Sequence, residues 1–268
     1  MFPSEETPKP QPAHFLSPFK AGSVPYLNAA PLTRGLEEQI LFAPPSELAL
    51  RLRRDDLDAA LVSITEVLLS DRYDILDGVA VASLGEVKSV FLAHRQPLEK
   101  MREIYFDTAS LSSLNLLKVL LAGRGLKPAL LPLPGYDGAR ALENVLLIGD
   151  QALRFARSSP PHAIWDLGAA WFDLTGLPFV YAVWALRRIE NGPLRLRLRE
   201  AKNSGLRALD DIIASRTDFD RAFREDYLRR RIRYDLGAEE RRGIARFIEL
   251  LRRHGLGPVI EPRFVSWH

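Results

Sequence analysis

The chain has 268 residues, 47% of them hydrophobic, with a formal net charge of +3 and a pI near 9.2. That is enough chain for one large domain or two small ones around a buried core, and the composition excludes a disordered protein. The charge suits anionic ligands but is too weak to point to nucleic acid, and the lack of cysteine removes disulfides, thiolate nucleophiles and thiolate zinc sites together.

Residues 1–19 read as a flexible leader: they carry Pro3, Pro8, Pro10, Pro12 and Pro18 with Glu5 and Glu6. No apolar run typical of a secretory signal is present there, and no run of 18 apolar residues occurs anywhere, so a cytoplasmic protein without membrane spans is expected. Residues 22–27 predict a strand, and Pro31 suits the first position of a helix over 32–38. Asn28 falls in the turn between them. It is either a helix cap or an uncharged donor and acceptor for a ligand.

Pro44, Pro45 and Ser46 then open a helix with an apolar stripe at Leu48 and Leu52. The short buried run at 59–62 predicts a strand ending at Ser63, with a helix around 65–69 and strands at 79–82 and 89–92. A second cycle begins with a strand at 104–106, which gives way to Asp107, Thr108, Ala109, Ser110, Leu111, Ser112 and Ser113. Leucines at helical spacing follow, and Gly123 and Gly125 end that helix. Strands are expected at 129–133, at 145–148 before Gly149 and Asp150, and at 179–186, with a helix over 166–173 between the last two. From Leu194 onward the pattern is helical throughout, and its many arginines are interspersed with acids, as on a solvated helix face.

Alternating strands and helices make this an α/β protein. Two such cycles predict two lobes: 20–95 with 185–268, and 96–184, the chain crossing near 92–100 and returning near 180–187. In open α/β sheets ligands sit beyond the carboxyl ends of the strands. Those ends carry Asn28, Ser63, the hydroxyl-rich segment 107–113, and Gly149 with Asp150. One hydroxyl, of Ser110 or of Ser112, suffices to cap the helix that follows, yet four stand there, in front of amides and a dipole that favour an anion. No dinucleotide fingerprint, phosphate loop, zinc-protease motif or serine-hydrolase elbow occurs, and His14, His94, His162, His254 and His268 lack metal-ligand spacing. No metal or cofactor is expected.

Six segments together resemble the chorismate dehydratases of the futalosine route to menaquinone. They are SVPYLNAAPL at 23–32, DAALVS at 58–63, GEVKSV at 85–90, DTASLSS at 107–113, LIGDQAL at 147–153, and Asp166 and Leu167 with Trp171 through Trp184. One departure is ITEV at 64–67, where the family more often has Ser, a variable residue, Glu and Tyr, so a hydroxyl at position 64 is missing. The resemblance implies a two-lobed periplasmic-binding-protein type II fold with a ligand cleft between the lobes. It also implies conversion of chorismate to 3-(1-carboxyvinyloxy)benzoate with loss of water. A non-enzymatic small-anion binding protein of the same fold is the alternative. The expected catalytic residue is Asn28, and the expected substrate contacts are Ser63, Ser89, Thr108, Ser110, Ser112 and Ser113. The base is left open between Glu66 and the substrate's own enolpyruvyl carboxylate. No partner beyond the small-molecule substrate is expected.

Overall fold

The computed structural model describes residues 18–266, so all but the last two residues of the expected leader lie outside the described part. Two sheets organise the chain. β1 (Ala21–Ser23) leads through a 3-10 turn (Leu27–Leu32) to β2 (Leu41–Phe42), α1 (Pro45–Arg53), β3 (Ala59–Ser63), α2 (Ile64–Leu68) and β4 (Tyr73–Ser83). The chain then leaves this sheet. β5 (Val90–His94), β6 (Glu103–Phe106), α3 (Leu111–Gly123), β7 (Ala129–Pro132), β8 (Asn144–Ile148), α4 (Gly149–Arg157) and β9 (Ala163–Asp166) build the second half. α5 (Leu167–Thr175) returns the chain to the first sheet as β10 (Phe179–Arg187). Then follow α6 (Gly192–Arg207), α7 (Leu209–Ser215), α8 (Arg221–Asp226), a π-helical turn (Tyr227–Arg231), α9 (Ala238–Arg253) and β11 (Arg263–Val265). No helix among the described residues is long and apolar enough to cross a membrane.

The first sheet has the order β11-β4-β10-β3-β1-β2 and the second β7-β6-β8-β5-β9. Each crossing delivers one antiparallel strand into a sheet whose other described pairings are parallel: β10 lies between β3 and β4, and β5 between β8 and β9. Two expectations about the crossings change as a result. β5, expected in the first lobe, pairs in the second sheet, and β10 pairs in the first sheet from Phe179 onward. The apolar runs at these strands identify them as buried but carry no mark of which sheet they join.

The first crossing therefore falls between Ser83 and Val90, where Gly85 and Lys88 both take positive φ. Asp166 clasps it. That side chain accepts the backbone N–H of Val87 and of Lys88 (3.1 and 2.7 Å) and also caps α5 through the N–H of Ala169 (3.0 Å). The two crossings are thus tied to each other at one carboxylate. Burial raises the Asp166 pKa, and the three backbone donors oppose that rise.

Three further expectations need correction. No helix covers 32–38; Pro31 lies inside the 3-10 turn, where a single short turn tolerates the missing N–H. Asn28 caps nothing: Tyr26 holds the capping position and makes no side-chain cap bond. The C-terminal part is not helical throughout, because β11 adds to the edge of the first sheet beside β4. The core of the first half closes around Trp171, Phe179 and Phe247, from α5, β10 and α9, packed edge to face with centroids 5.0–5.9 Å apart. α6 packs against the 3-10 turn at Gly205, where a Cβ would overlap the Pro31 carbonyl.

Candidate active site

The cleft opens between the two sheets at the carboxyl ends of β1, β3, β6 and β8. The antiparallel strands reach the same edge from the other direction, so Ser89 just before β5 and Tyr181 within β10 face it as well. The space between its walls, open mouth included, is about 560 Å³. Its apolar walls come from Val24, Leu61, Val62, Val81, Val87, Val90 and Ile148. Its polar groups are the amide of Asn28, the hydroxyls of Ser63, Ser89, Ser110 and Ser113, and the phenols of Tyr26 and Tyr181.

Five of the seven residues expected from the sequence thus line one cavity, although they come from both sheets. Thr108 and Ser112 do not. Thr108 is exposed to solvent away from the cavity. Ser112 is fully buried and joins the two halves: its Oγ accepts the N–H of Thr65 (3.1 Å) and donates to Thr65 Oγ1 (3.3 Å), while its own N–H donates to Ser63 Oγ (2.7 Å). With the Ser112 proton directed to Thr65, the bond between Ser63 Oγ and Ser112 Oγ takes the Ser63 proton. Ser63 therefore faces the cleft as an acceptor, suited to a ligand hydroxyl rather than to a carboxylate. Ser110 does cap α3, accepting the Ser113 N–H at 3.4 Å. Its hydroxyl and that of Ser113 stand 3.3 Å apart at the positive end of a 13-residue helix.

No carboxylate, ammonium, guanidinium or imidazole occurs among the described residues that line the cleft. Glu66 is buried on α2 outside it, with Nη1 of Arg53 2.7 and 2.8 Å from its two oxygens. Asp107 is also buried outside the lining, accepting the Ala109 N–H (2.9 Å) and the Tyr136 O–H (2.8 Å); desolvation raises its pKa. The lining phenols keep their protons. Burial, reinforced by Asp107 and Asp150, raises the pKa of Tyr26, and burial with Asp166 raises that of Tyr181. Ser83 Oγ donates to the Gly85 carbonyl at 3.1 Å, so the 3.0 Å contact with Tyr181 is donated by the phenol.

Tyr26 and Tyr181 were missed by the sequence reading. Tyr26 stands inside a segment singled out for Asn28, and its ring lies over Gly149, whose φ is +57° and where a Cβ would come within 3.0–3.3 Å of the ring. Tyr181 sits in an apolar run that gave no sign of which face meets the cavity.

A family model described as menaquinone biosynthesis matches residues 19–253. A chorismate dehydratase from Thermus thermophilus is 35% identical over 268 residues, covering 88% of this chain and 96% of the relative. Among solved structures, a protein from Archaeoglobus fulgidus superposes with a TM-score of 0.70 at 18% identity, covering 89% of this chain and 98% of its own. The alkanesulfonate-binding protein from Xanthomonas axonopodis pv. citri, bound to MOPS, gives 0.68 at 16% identity, covering 92% and 98%. The fold is the two-lobed periplasmic-binding-protein α/β fold.

Proposed function

The chain belongs to the menaquinone biosynthesis family, and we propose that it is a chorismate dehydratase, a hydro-lyase that converts chorismate to 3-(1-carboxyvinyloxy)benzoate and water. A cytoplasmic location goes with that reading. The observation that carries the mechanism is a cleft whose described lining residues supply amide, hydroxyl and phenol groups but no ionised base. The substrate brings its own. Its enolpyruvyl carboxylate is tethered beside C3 and takes the C3 proton. The C–H electron pair becomes a ring double bond, the C4–O bond breaks, and the departing hydroxide leaves as water once protonated. An aromatic ring results, so the step runs strongly downhill. The protein then has chiefly to hold one conformer, and orientation alone contributes up to about 7–11 kcal/mol in favourable intramolecular cases.

In this reading Asn28 hydrogen-bonds to the departing C4 hydroxyl or to the side-chain carboxylate. Ser110, Ser113 and the amino end of α3 hold the ring carboxylate. Ser89 donates to the ligand, and Ser63 accepts from it. Thr108 and Ser112 take no part. Incubating the protein with chorismate and following the aromatic product by ultraviolet absorbance and proton NMR tests this directly. Stoichiometric product with turnover is expected. Saturable binding of chorismate with no product would make the chain a small-anion binding protein instead.

A further inference from the structure

Behind the cleft wall lies a hydroxyl that belongs to neither lobe's share of the lining. Tyr227 opens the π-helical turn of the C-terminal segment and is 0% exposed. Its phenol oxygen accepts from Asn28 Nδ2 at 3.3 Å, and its O–H donates to Ser89 Oγ at 2.7 Å. Asn28 follows β1 of the first sheet and Ser89 precedes β5 of the second, so one atom of a third segment joins both halves of the cleft. The ring is held in place by Phe223, stacked at 5.6 Å and 14°. A π-turn adds a residue to a helical turn and re-aims the side chains around it, a device frequent at functional sites.

The two bonds constrain each other. A phenol has one proton, and here Ser89 receives it. The oxygen then offers lone pairs only, so Asn28 must present its NH₂ and not its carbonyl. That selects one of the two flips of the amide and sets the direction of its carbonyl and second N–H. Ser89, having accepted, keeps its own proton for the cleft it lines. Bonds aligned head to tail strengthen one another in a low-dielectric interior. Burial and the nearby Asp150 and Asp166 raise the phenol pKa, which keeps the linking proton in place.

We propose that Tyr227 is a positioning residue: it locks the Asn28 amide in one orientation and makes Ser89 a donor aimed at the anionic ligand. The proposal rests on the dehydratase reading for its catalytic consequence, but the orientation of the amide stands apart from it. Tyr227→Phe removes one oxygen and keeps the ring. We expect kcat to fall about 10- to 100-fold with KM rising less than about threefold and the melting temperature nearly unchanged. Added to Asn28→Ala, the same change should cost little more, since both act through one amide. The side-chain amide signals of Asn28, identified by their loss in Asn28→Ala, should shift in Tyr227→Phe and exchange faster with solvent. Ser89→Ala frees the phenol proton and should move the same signals, which decides the matter if Tyr227→Phe does not fold. Unchanged kcat, fully multiplicative losses in the double variant, or unmoved amide signals would each overturn the proposal. If the wild-type protein does not turn over chorismate, the dehydratase reading fails, while the amide signals still decide the role of Tyr227.

Discussion

Asn28 is half-buried, follows a strand of only three residues, and has one amide proton committed to Tyr227. What remains for a ligand is its carbonyl and one N–H, both fixed in direction. Loss of an oriented donor of this kind costs on the order of 10²–10³ in turnover, so Asn28→Ala should lose activity in that range and remain folded. Asn28→Asp should do no better. It sets a negative charge against an anionic substrate, and its carboxylate would draw the Tyr227 proton away from Ser89. Glu66→Gln discriminates between the two candidate bases. Glu66 is held by Arg53 outside the cleft, so turnover should stay within about twofold of wild type in steady-state assays. An inactive Glu66→Gln enzyme with native folding would return the base to the protein.

At the scale of the element, the start of α3 divides its hydroxyls between two tasks. Ser110 and Ser113 face the cleft, whereas Ser112 joins α3 to the β3–α2 junction. Replacing Ser110 and Ser113 together by Ala should raise KM more than it lowers kcat, because a carboxylate remote from the reacting bond is held alike in ground and transition states. Ser112→Ala should act on stability instead. It strands the buried N–H of Thr65 and costs about 1–3 kcal/mol of stability in a denaturant titration, with kcat nearly unchanged. A large kcat effect from Ser112→Ala without loss of stability would undo this division.

Across the whole molecule, the halves meet at Asp150. This residue begins α4 beside Gly149 and accepts the N–H of Leu27, the first residue of the Asn28 turn, at 3.2 Å. Burial raises its pKa above the value of about 3.9 expected in an unfolded chain. The folded state therefore holds the Asp150 proton longer than the unfolded state does. The stabilisation linked to that proton is complete below about pH 4 and is lost as pH rises through the folded pKa. Asn at this position still offers an oxygen to Leu27 but does not ionise. The melting temperature of Asp150→Asn, measured relative to wild type, should thus rise between about pH 4 and pH 7. A flat or falling difference would show that Asp150 is not held back from ionising.

Much of this was readable along the chain because it depends on neighbours in sequence. Short apolar runs ending in small polar residues placed Ser63 and the 107–113 segment at strand ends, and the parallel pairing of β1 with β3 and of β6 with β8 brings those ends to one edge. The strand expected over 22–27 stops at Ser23, so Asn28 stands in the 3-10 turn beyond it and not at a strand end. The capping of α3 by Ser110 is local as well, a matter of three residues. Contacts across long separations were not readable. Tyr227 reaches Asn28 across 199 residues and Ser89 across 138, Ser112 reaches Ser63 across 49, and each pair looks unremarkable in its own segment. The same holds for β5 and β10, because an apolar strand satisfies either sheet, and its choice follows from pairing with β8 and β9 or with β3 and β4. Local patterning decides where a strand ends and which polar group stands there. Packing between distant segments decides which of those groups face the cleft, which are consumed in holding its walls together, and in which direction each remaining proton points.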